Sequence, residues 1–336
     1  WRASTMTEQR PIQPTPVGAL RFNTDSAKLE YFDGNQYVNI TTDSPEQNTG
    51  GTRGLFGGGN SDTIDYITIS TTGNALDFGN LSETFFINKA LASRVRGIFA
   101  GDRPATTKIE FVTIASTGDS QDFGDLTDGR EDPAGVSNGT RGVMGGGAPY
   151  PTNVNTIDYI TIAQTGNAID FGDLTNARRH HGSLESPVRG LFAGGEGTPN
   201  IKSIIDYIMI STTGNAADFG DLTDNVYGTS GCSNAVRGLF GLGKITTPSQ
   251  ANSNIIEFVT IASLGNSKDF GDLVGAKYAA GATSSPTRGV FGGHYPSSTA
   301  IDYVQIMTTG NAQDFGDLTS GRGHFDACSN GHGGLG

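Results

Sequence analysis

The apolar residues of this chain fall in short clusters, and the clusters recur. From residue 53 onward, a pair such as Leu55-Phe56 runs into glycines, and a second cluster, Ile64 to Ile69, is β-branched and aromatic. A polar turn, Thr72-Gly73-Asn74, precedes a third, Leu76 to Leu81. None repeats with the 3.6-residue period of a helix face, so strands are expected throughout. Arg53 to Gly59 is a strand entering a glycine-rich turn, and Ile64 to Ile69 is a strand apolar on both faces. Thr-Gly-Asn supplies a hairpin turn, and Leu76 to Leu81 returns. A more polar stretch, such as His180 to Ser186, gives a fourth strand before the cycle restarts.

Three anchors mark that cycle. Arg-Gly-aliphatic begins at Arg53, Arg96, Arg141, Arg189, Arg237 and Arg288. An acidic residue, an aromatic and an aliphatic begin at Asp65, Glu110, Asp158, Asp206, Glu257 and Asp302. Asp-Phe-Gly-Asp/Asn-Leu begins at Asp77, Asp122, Asp170, Asp218, Asp269 and Asp314. From second anchor to third the step is always 12 residues, as in 65 to 77, and from the motif Leu to the next Arg always 15, as in 81 to 96. Only the step from Arg to the acidic anchor varies: 12, 14, 17, 17, 20 and 14 residues. Four strands per about 40–50 residues is the size of a propeller blade. The expected fold is therefore all-β, a six-bladed β-propeller over residues 53–336. The first repeat lacks a leading strand within Ser44 to Gly51, whereas the segment after Leu318 resembles the one that precedes Arg elsewhere. Cys328-Ser329-Asn330 matches Cys232-Ser233-Asn234, and counting 15 from Leu318 reaches Gly333. The C-terminal strand is thus expected to close blade 1 and remove the open sheet edges.

Before the repeats, Leu20 to Phe22, Lys28 to Phe32 and Tyr37 to Ile40 alternate apolar and polar residues between turns at Asn23 to Ser26 and Asp33-Gly34-Asn35. This predicts a small three-stranded β-meander over 18–43, between a flexible arm (1–17) and a linker (44–52). About 25 residues bury too little surface to be stable alone, so the meander must dock on something: the propeller, a copy of itself, or another protein. Met6 is a candidate natural start, with residues 1–5 an addition.

Composition narrows the function classes. With 50 Gly and 17% charged residues the chain suits short strands and tight turns. A net charge of −12 argues against nucleic acid or an anionic membrane as partner, since phosphates need a basic surface. No apolar run approaches a membrane span, and the polar N-terminus lacks a secretory signal. Cys232 and Cys328 form neither a disulfide framework nor a metal-like spacing.

The repeats resemble the kelch type. Glycine doublets follow an apolar strand (Gly57-Gly58, Gly194-Gly195, Gly292-Gly293), an aromatic follows on the next (Tyr66, Tyr207, Tyr303), and a basic residue follows the last (Arg130, Arg178, Lys277, Arg322). Phe78 and its equivalents stand where kelch repeats usually carry Trp. The variant with Ile-Asp-Tyr-Ile-Thr-Ile and Gly-Asn-Ala-x-Asp-Phe-Gly-Asp-Leu resembles propellers in virion proteins of tailed phages, especially those of cyanobacteria. The segment from Gly18 through Tyr37-Val38 is similar to a short module of phage fibre proteins. The resemblance implies a virion structural protein, assembled in the host cytoplasm and then extracellular, in contact with other virion proteins through the N-terminal module. It also implies a homo-oligomer or larger assembly.

Several motifs invite chemistry. Asp-Phe-Gly is a kinase signature only as a single copy beside a catalytic loop; six periodic copies make it a strand-and-turn element. Acid pairs such as Asp122 and Asp125 lack the dense ligand pattern of a calcium loop, and are expected to cap turns or pair with the repeat Arg. The six Arg could gather round an anion, but one in every repeat suits a structural role, tying blades together through an Asp. His180-His181 is a poor metal site, because neighbours on a strand face opposite ways, and it is expected to be solvated. The Ser-x-Asp-x-Gly-x-Thr-Trp box of sialidase-like propellers is missing, and no Tyr, His and Cys set for a copper oxidase can be assembled. No catalytic residue, metal or cofactor is therefore expected.

In a propeller the variable-length loops, Gly57 to Thr63, Gly101 to Lys108, Gly145 to Thr156, Gly194 to Ser203, Gly241 to Asn254 and Gly292 to Ala300, share one face. Loops on a rigid scaffold carry recognition. The candidate contact residues are Tyr150, Asn153, Asn200, Lys202, Lys244, Gln250, His294 and Tyr295. The favoured function is a non-enzymatic phage virion protein, in a fibre, tail or capsid decoration, acting in host attachment or protein contact through a host surface glycan or receptor. Alternatives are a glycan-binding lectin-like propeller, which the scarcity of Trp disfavours, and a polysaccharide-degrading enzyme, which needs a carboxylate pair in a central pocket.

Overall fold

The computed structural model describes residues 16–23, 28–39, 52–197, 200–241, 243–246 and 249–335. Residues 1–15 of the expected arm (1–17) and 44–51 of the expected linker (44–52) lie outside the described residues. The chain divides into two compact units, within Trp1–Gln47 and Asn48–Gly336. Both are built of antiparallel β-sheet, and the only helix among the described residues is one 3-10 turn, Gly333–Leu335.

The first unit is a meander of β1 (Leu20–Asn23), β2 (Lys28–Phe32) and β3 (Tyr37–Asn39), paired in that order. Ile40 lies outside the described residues. Alternation splits its side chains between two faces. Arg21 bonds Glu30 at 2.7 Å and stacks over Tyr37, while Leu20, Phe22 and Tyr31 stay exposed.

The second unit contains six four-stranded antiparallel sets. In one, Lys89–Ala92, Arg96–Ala100, Thr106–Thr113 and Gln121–Arg130 pair in sequence order. In the first set Phe325–Ser329, from the far end of the chain, pairs with Arg53–Gly58 in register from Phe325 opposite Gly58 to Ser329 opposite Gly54. The leading strands of the six sets touch one another in cyclic order, Lys89–Ala92 meeting both Ala134–Ser137 and Phe325–Ser329. The fourth and fifth sets are further joined by Lys244–Ile245, which pairs with Ala217–Tyr227 and Ala251–Thr260 to give one nine-stranded sheet. That extra strand lies in the repeat with the longest step from Arg to acid, where the loop is long enough to fold back.

The core lies between the sets. Six buried clusters each draw on two successive ones: Leu55, Phe78 and Leu81 pack with Phe99 and Val112, and Phe56 and Ile67 pack with Val290, Phe315 and Leu318. Apolar residues on both faces of Ile64 to Ile69 follow from this, since each set is covered on two sides. Cys232 and Cys328 are free thiols buried in these clusters, and burial pushes both thiols up.

Three repeating contacts tie each set to the next. The hairpin glycine donates to the Phe carbonyl of the preceding set, as Gly214 N to Phe171 O (2.8 Å), and the circle closes with Gly73 N to Phe315 O. The turn Asn accepts from a backbone N–H of that set, as Asp173 N to Asn215 Oδ1 (3.1 Å). The repeat Arg donates to an isoleucine carbonyl of the next set, from Arg53 to Ile114 O (2.8 Å) round to Arg288 to Ile69 O (3.0 Å).

Those Arg residues correct an expectation. Each lies over its own set's aromatic, Arg53 at 4.5 Å from the Tyr66 ring centre and Arg141 at 4.3 Å from Tyr159, and ties neighbours through a carbonyl, not an Asp. Asp77, Asp122, Asp170, Asp218, Asp269 and Asp314 are exposed. Each precedes a buried Phe, and strand alternation turns it outward. The buried carboxylates are those of the second anchor. Asp65, Asp158, Asp206 and Asp302 pair with Arg322, Arg130, Arg178 and Lys277, the basic residues that end the preceding set. Two sets have no such cation, with Phe85 and Val226 in its place. There the acid is Glu, and a serine completes the site: Ser120 to Glu110 at 2.6 Å and Ser267 to Glu257 at 2.5 Å.

Candidate functional site

The variable loops of the second unit do meet on one side. Asn60, Arg103, Pro104, Ala105, Pro149 and Tyr150, from three successive loops, line a cleft of about 890 Å3 with Thr84, Phe86 and Glu131. The side-chain amide of Asn153 donates to Glu196 O at 2.7 Å, joining the third loop to the fourth.

The other half of this side comes from the short connectors between each set's last strand and the next set's first. Five residues after the motif Leu stand Phe86, Glu131, Arg179, Tyr227, Tyr278 and Gly323; one further on stand Ile87, Asp132, His180, Gly228, Ala279 and His324. Asp132, His180, Gly228, Ala279 and His324 all have φ between 53° and 64°. Non-glycine residues held in the left-handed region cost about 1–3 kcal/mol each and concentrate at functional sites.

Four rings close a circuit there: His180 to Tyr227 (6.4 Å between centroids), Tyr227 to Tyr278 (5.4 Å), Tyr278 to His324 (5.3 Å) and His324 to His180 (5.8 Å). Tyr295 packs on His324 at 4.7 Å, Phe86 stacks on it at 6.0 Å, and the Lys244 ammonium lies 5.4 Å from the Tyr278 ring centre. His180 pairs through Nδ1 with Asp132, which also faces Lys89 Nζ at 3.3 Å. Burial raises the Asp132 carboxyl, but His180 and Lys89 outweigh it and hold the group well below the carboxylate range.

Beneath the rings a chamber of about 40 Å3 runs between the leading strands, lined by Lys89, His181, Thr229, Thr283 and Asp326, with Glu185 and His332 at its far end. His181 is 1% exposed and kept neutral, chiefly by desolvation and then by Arg178. The histidine pair is therefore not solvated: alternation sends His180 to the aromatic circuit and His181 to the axis. At the other end His332 Nδ1 pairs with Glu185 at 2.5 Å, its Nε2 lies 2.9 Å from Ala92 O, and Arg94 binds Leu335 O at 2.7 Å. The repeat-Arg place after Phe325–Ser329 is filled by Arg53, whose N donates to Asn330 Oδ1 at 2.8 Å, while a Cβ on Gly333 would stand within 2.6 Å of Ser233 Oγ and Asn234 O.

Among the expected contact residues, Tyr150 lines the cleft, while Tyr295 and Lys244 join the rings. Asn153 is spent on the loop junction, and His294 Nδ1 lies 2.8 Å from Tyr295 O. Asn200, Lys202 and Gln250 line neither the cleft nor the ring circuit. Arg103, Glu131, Asp132, Arg179, Tyr278 and His324 were not singled out by sequence. For all but Arg103, which lies on a variable loop, the signal was there: the connectors are constant in length yet differ in residue type at two fixed positions. Among the described residues, no group of three or more His, Cys, Asp or Glu is placed to hold a metal ion. Set against known protein families and curated proteins, the chain matches none of the family models and none of the proteins.

The axis predicts an unusual response to pH. Burial lowers His324 to about 4, with Asp132 opposing and His180, Lys89 and Arg103 reinforcing. Asp326, which keeps only the small surface of the chamber, is pushed up by burial to about 6, against Lys89 and the amides of Ala327, Ala90 and Ala282. As pH falls from 6.5 to 4, His324 protonates first in the unfolded chain, which destabilises the fold. As pH falls from 6 to about 4, Asp326 protonates first in the folded protein, which stabilises it. The two slopes oppose, each on the order of 2 kcal/mol. Urea unfolding of Asp326→Asn should therefore show stability falling toward pH 4 relative to the parent, and His324→Gln the reverse. Parallel profiles for all three proteins would refute the assignment.

Proposed function

We propose that the six sets are the blades of a six-bladed, kelch-like β-propeller, and that the chain is a non-enzymatic virion structural protein of a tailed phage. It presents the variable-loop side to a partner. The cyclic contacts of the leading strands, the six inter-set cores and the pairing of Phe325–Ser329 with Arg53–Gly58 support the propeller.

The difference between the two sides carries the recognition reading. One side bears the same hairpin turn six times. The other bears the cleft, the ring circuit and five non-glycine residues with positive φ, Asn60 of the cleft among them. The repetitive side also exposes Val95, Val188 and Val236 at one repeat position, each 54–56% exposed, which suits attachment. The exposed Leu20, Phe22 and Tyr31 of the β-meander suit docking to another virion protein. Against an enzyme with its carboxylate pair in a central pocket, the axial chamber falls far short of the roughly 300–1,000 Å3 of small-molecule sites, and Glu185 is already paired with His332.

Two measurements test this. Mass spectrometry of purified particles should find the chain. The purified protein should compete with particles for adsorption to host cells, and Tyr295→Ala should weaken the competition at least tenfold while Val188→Ser leaves it intact. Absence from the particle, or equal effects of the two variants, would refute the reading.

A further inference from the structure

We infer that the cleft between Phe86 and Tyr150 is a carbohydrate site for a sugar carrying a carboxylate, such as a uronic acid; this rests on the variable side being the recognition side.

The cleft, about 890 Å3, is the right size for a short oligosaccharide. Its apolar surfaces are flat: the Tyr150 ring, 58% exposed, the half-buried Phe86 ring, and the prolines Pro104 and Pro149. Sugar rings present C–H faces that stack on such surfaces. Trp is not required for this, so its scarcity does not exclude a glycan.

The polar groups are few and placed. The Arg103 guanidinium and that of Arg179 flank Tyr150, 5.4 and 5.1 Å from its ring centre. Both turn toward Glu131: Arg179 bonds Oε1 at 2.8 Å, and Arg103 Nε lies 3.4 Å from Oε2. Arg179 is also held by Glu196 at 3.1 Å, whereas the Arg103 side chain is half exposed and directs only Nε to a protein group among the described residues. Its terminal N–H groups form the planar fork that binds a carboxylate through two bonds.

Glu131 supplies an independent sign of a ligand. It is 2% exposed, it lines the cleft, and its Oε2 accepts no hydrogen bond from the protein. A buried carboxylate oxygen without a donor is costly, and a sugar hydroxyl beside Arg103 would provide one. Arg103 thus reads the acid, Glu131 a neighbouring hydroxyl, and Tyr150 the ring face. A half-exposed guanidinium with its terminal N–H groups turned from protein, in a chain of net charge −12, further favours an anion here. An acidic peptide would satisfy Arg103 but has no hydroxyl array for Glu131 or ring face for Tyr150.

Calorimetric titration of the full chain should use tetragalacturonate, an alginate tetramer, the methyl-esterified galacturonate tetramer and a tetra-aspartate peptide. Saturable binding is expected for at least one uronate, weakened tenfold or more by esterification and by Arg103→Gln. Tyr150→Ala should weaken the acid and ester forms alike, and Lys202→Gln should change neither. No saturable binding to either uronate, no effect of Arg103→Gln, or equal affinity for tetra-aspartate would overturn the assignment. Adsorption competition that still depends on Tyr295 would then leave the recognition side standing and remove only its acidic-sugar ligand. Loss of both would remove the two together.

Discussion

Replacing Gly172 by alanine should lower the stability of the second unit by about 2–4 kcal/mol, among the largest losses available from one added methyl. Gly172 has φ of 143°, and a Cβ on it would stand 2.6 Å from the carbonyl carbon and oxygen of Gly214 in the next set. The hydrogen bonds that cross this junction, from Gly214 N to Phe171 O and from Ala216 N to Asp173 O, are both 2.8 Å and leave no slack. Gly214 is the control. Its φ is 152°, but nothing lies within 4 Å of its Cβ position, so Gly214→Ala should cost markedly less. Denaturant unfolding of the two variants checks this, and equal losses would show that close approach is not what glycine provides at Gly172.

The second large effect concerns the buried ion pair between Arg178 and Asp206. Arg178→Val should cost about 3–5 kcal/mol, because it leaves a fully buried carboxylate without its cation. The chain itself contains the compensation. Where Val226 stands in place of the cation, the following acid is Glu257, bonded by Thr223 and by Ser267. The triple variant Arg178→Val, Asp206→Glu, Ala216→Ser copies that solution into the fourth set. It should recover most of the loss and reach within about 1–2 kcal/mol of the parent, since a buried carboxylate with enough donors tolerates the absence of a cation. A triple variant no more stable than Arg178→Val would show that the two solutions are not interchangeable.

The strands, their order in each set and the pairing of the last strand with the first set were legible because invariant spacing reports equivalent backbone. The cation–acid–alanine and apolar–glutamate–serine alternatives were legible too, as residue types that change together between repeats. They are seen only when position 178 is aligned with the acid of the following repeat, because each cation pairs forward across a set boundary. Arg53 and its equivalents were expected to tie repeats through an Asp, but their partner is a backbone carbonyl, and carbonyls leave no mark in a sequence.

Sequence by itself determined the periodic frame: six equivalents, constant turns, one loop of free length. Those properties follow from local backbone demands that repeat in each copy. Only the tertiary structure decided what differs between copies. Phe86, Glu131, Arg179, Tyr227, Tyr278 and His324 lie tens of residues apart in the chain, and each alone is an ordinary connector residue. They meet because the six leading strands close into a cyclic array, which brings the connectors to one side around the axis. Proximity of that kind is a property of the closed array, and no single repeat contains it.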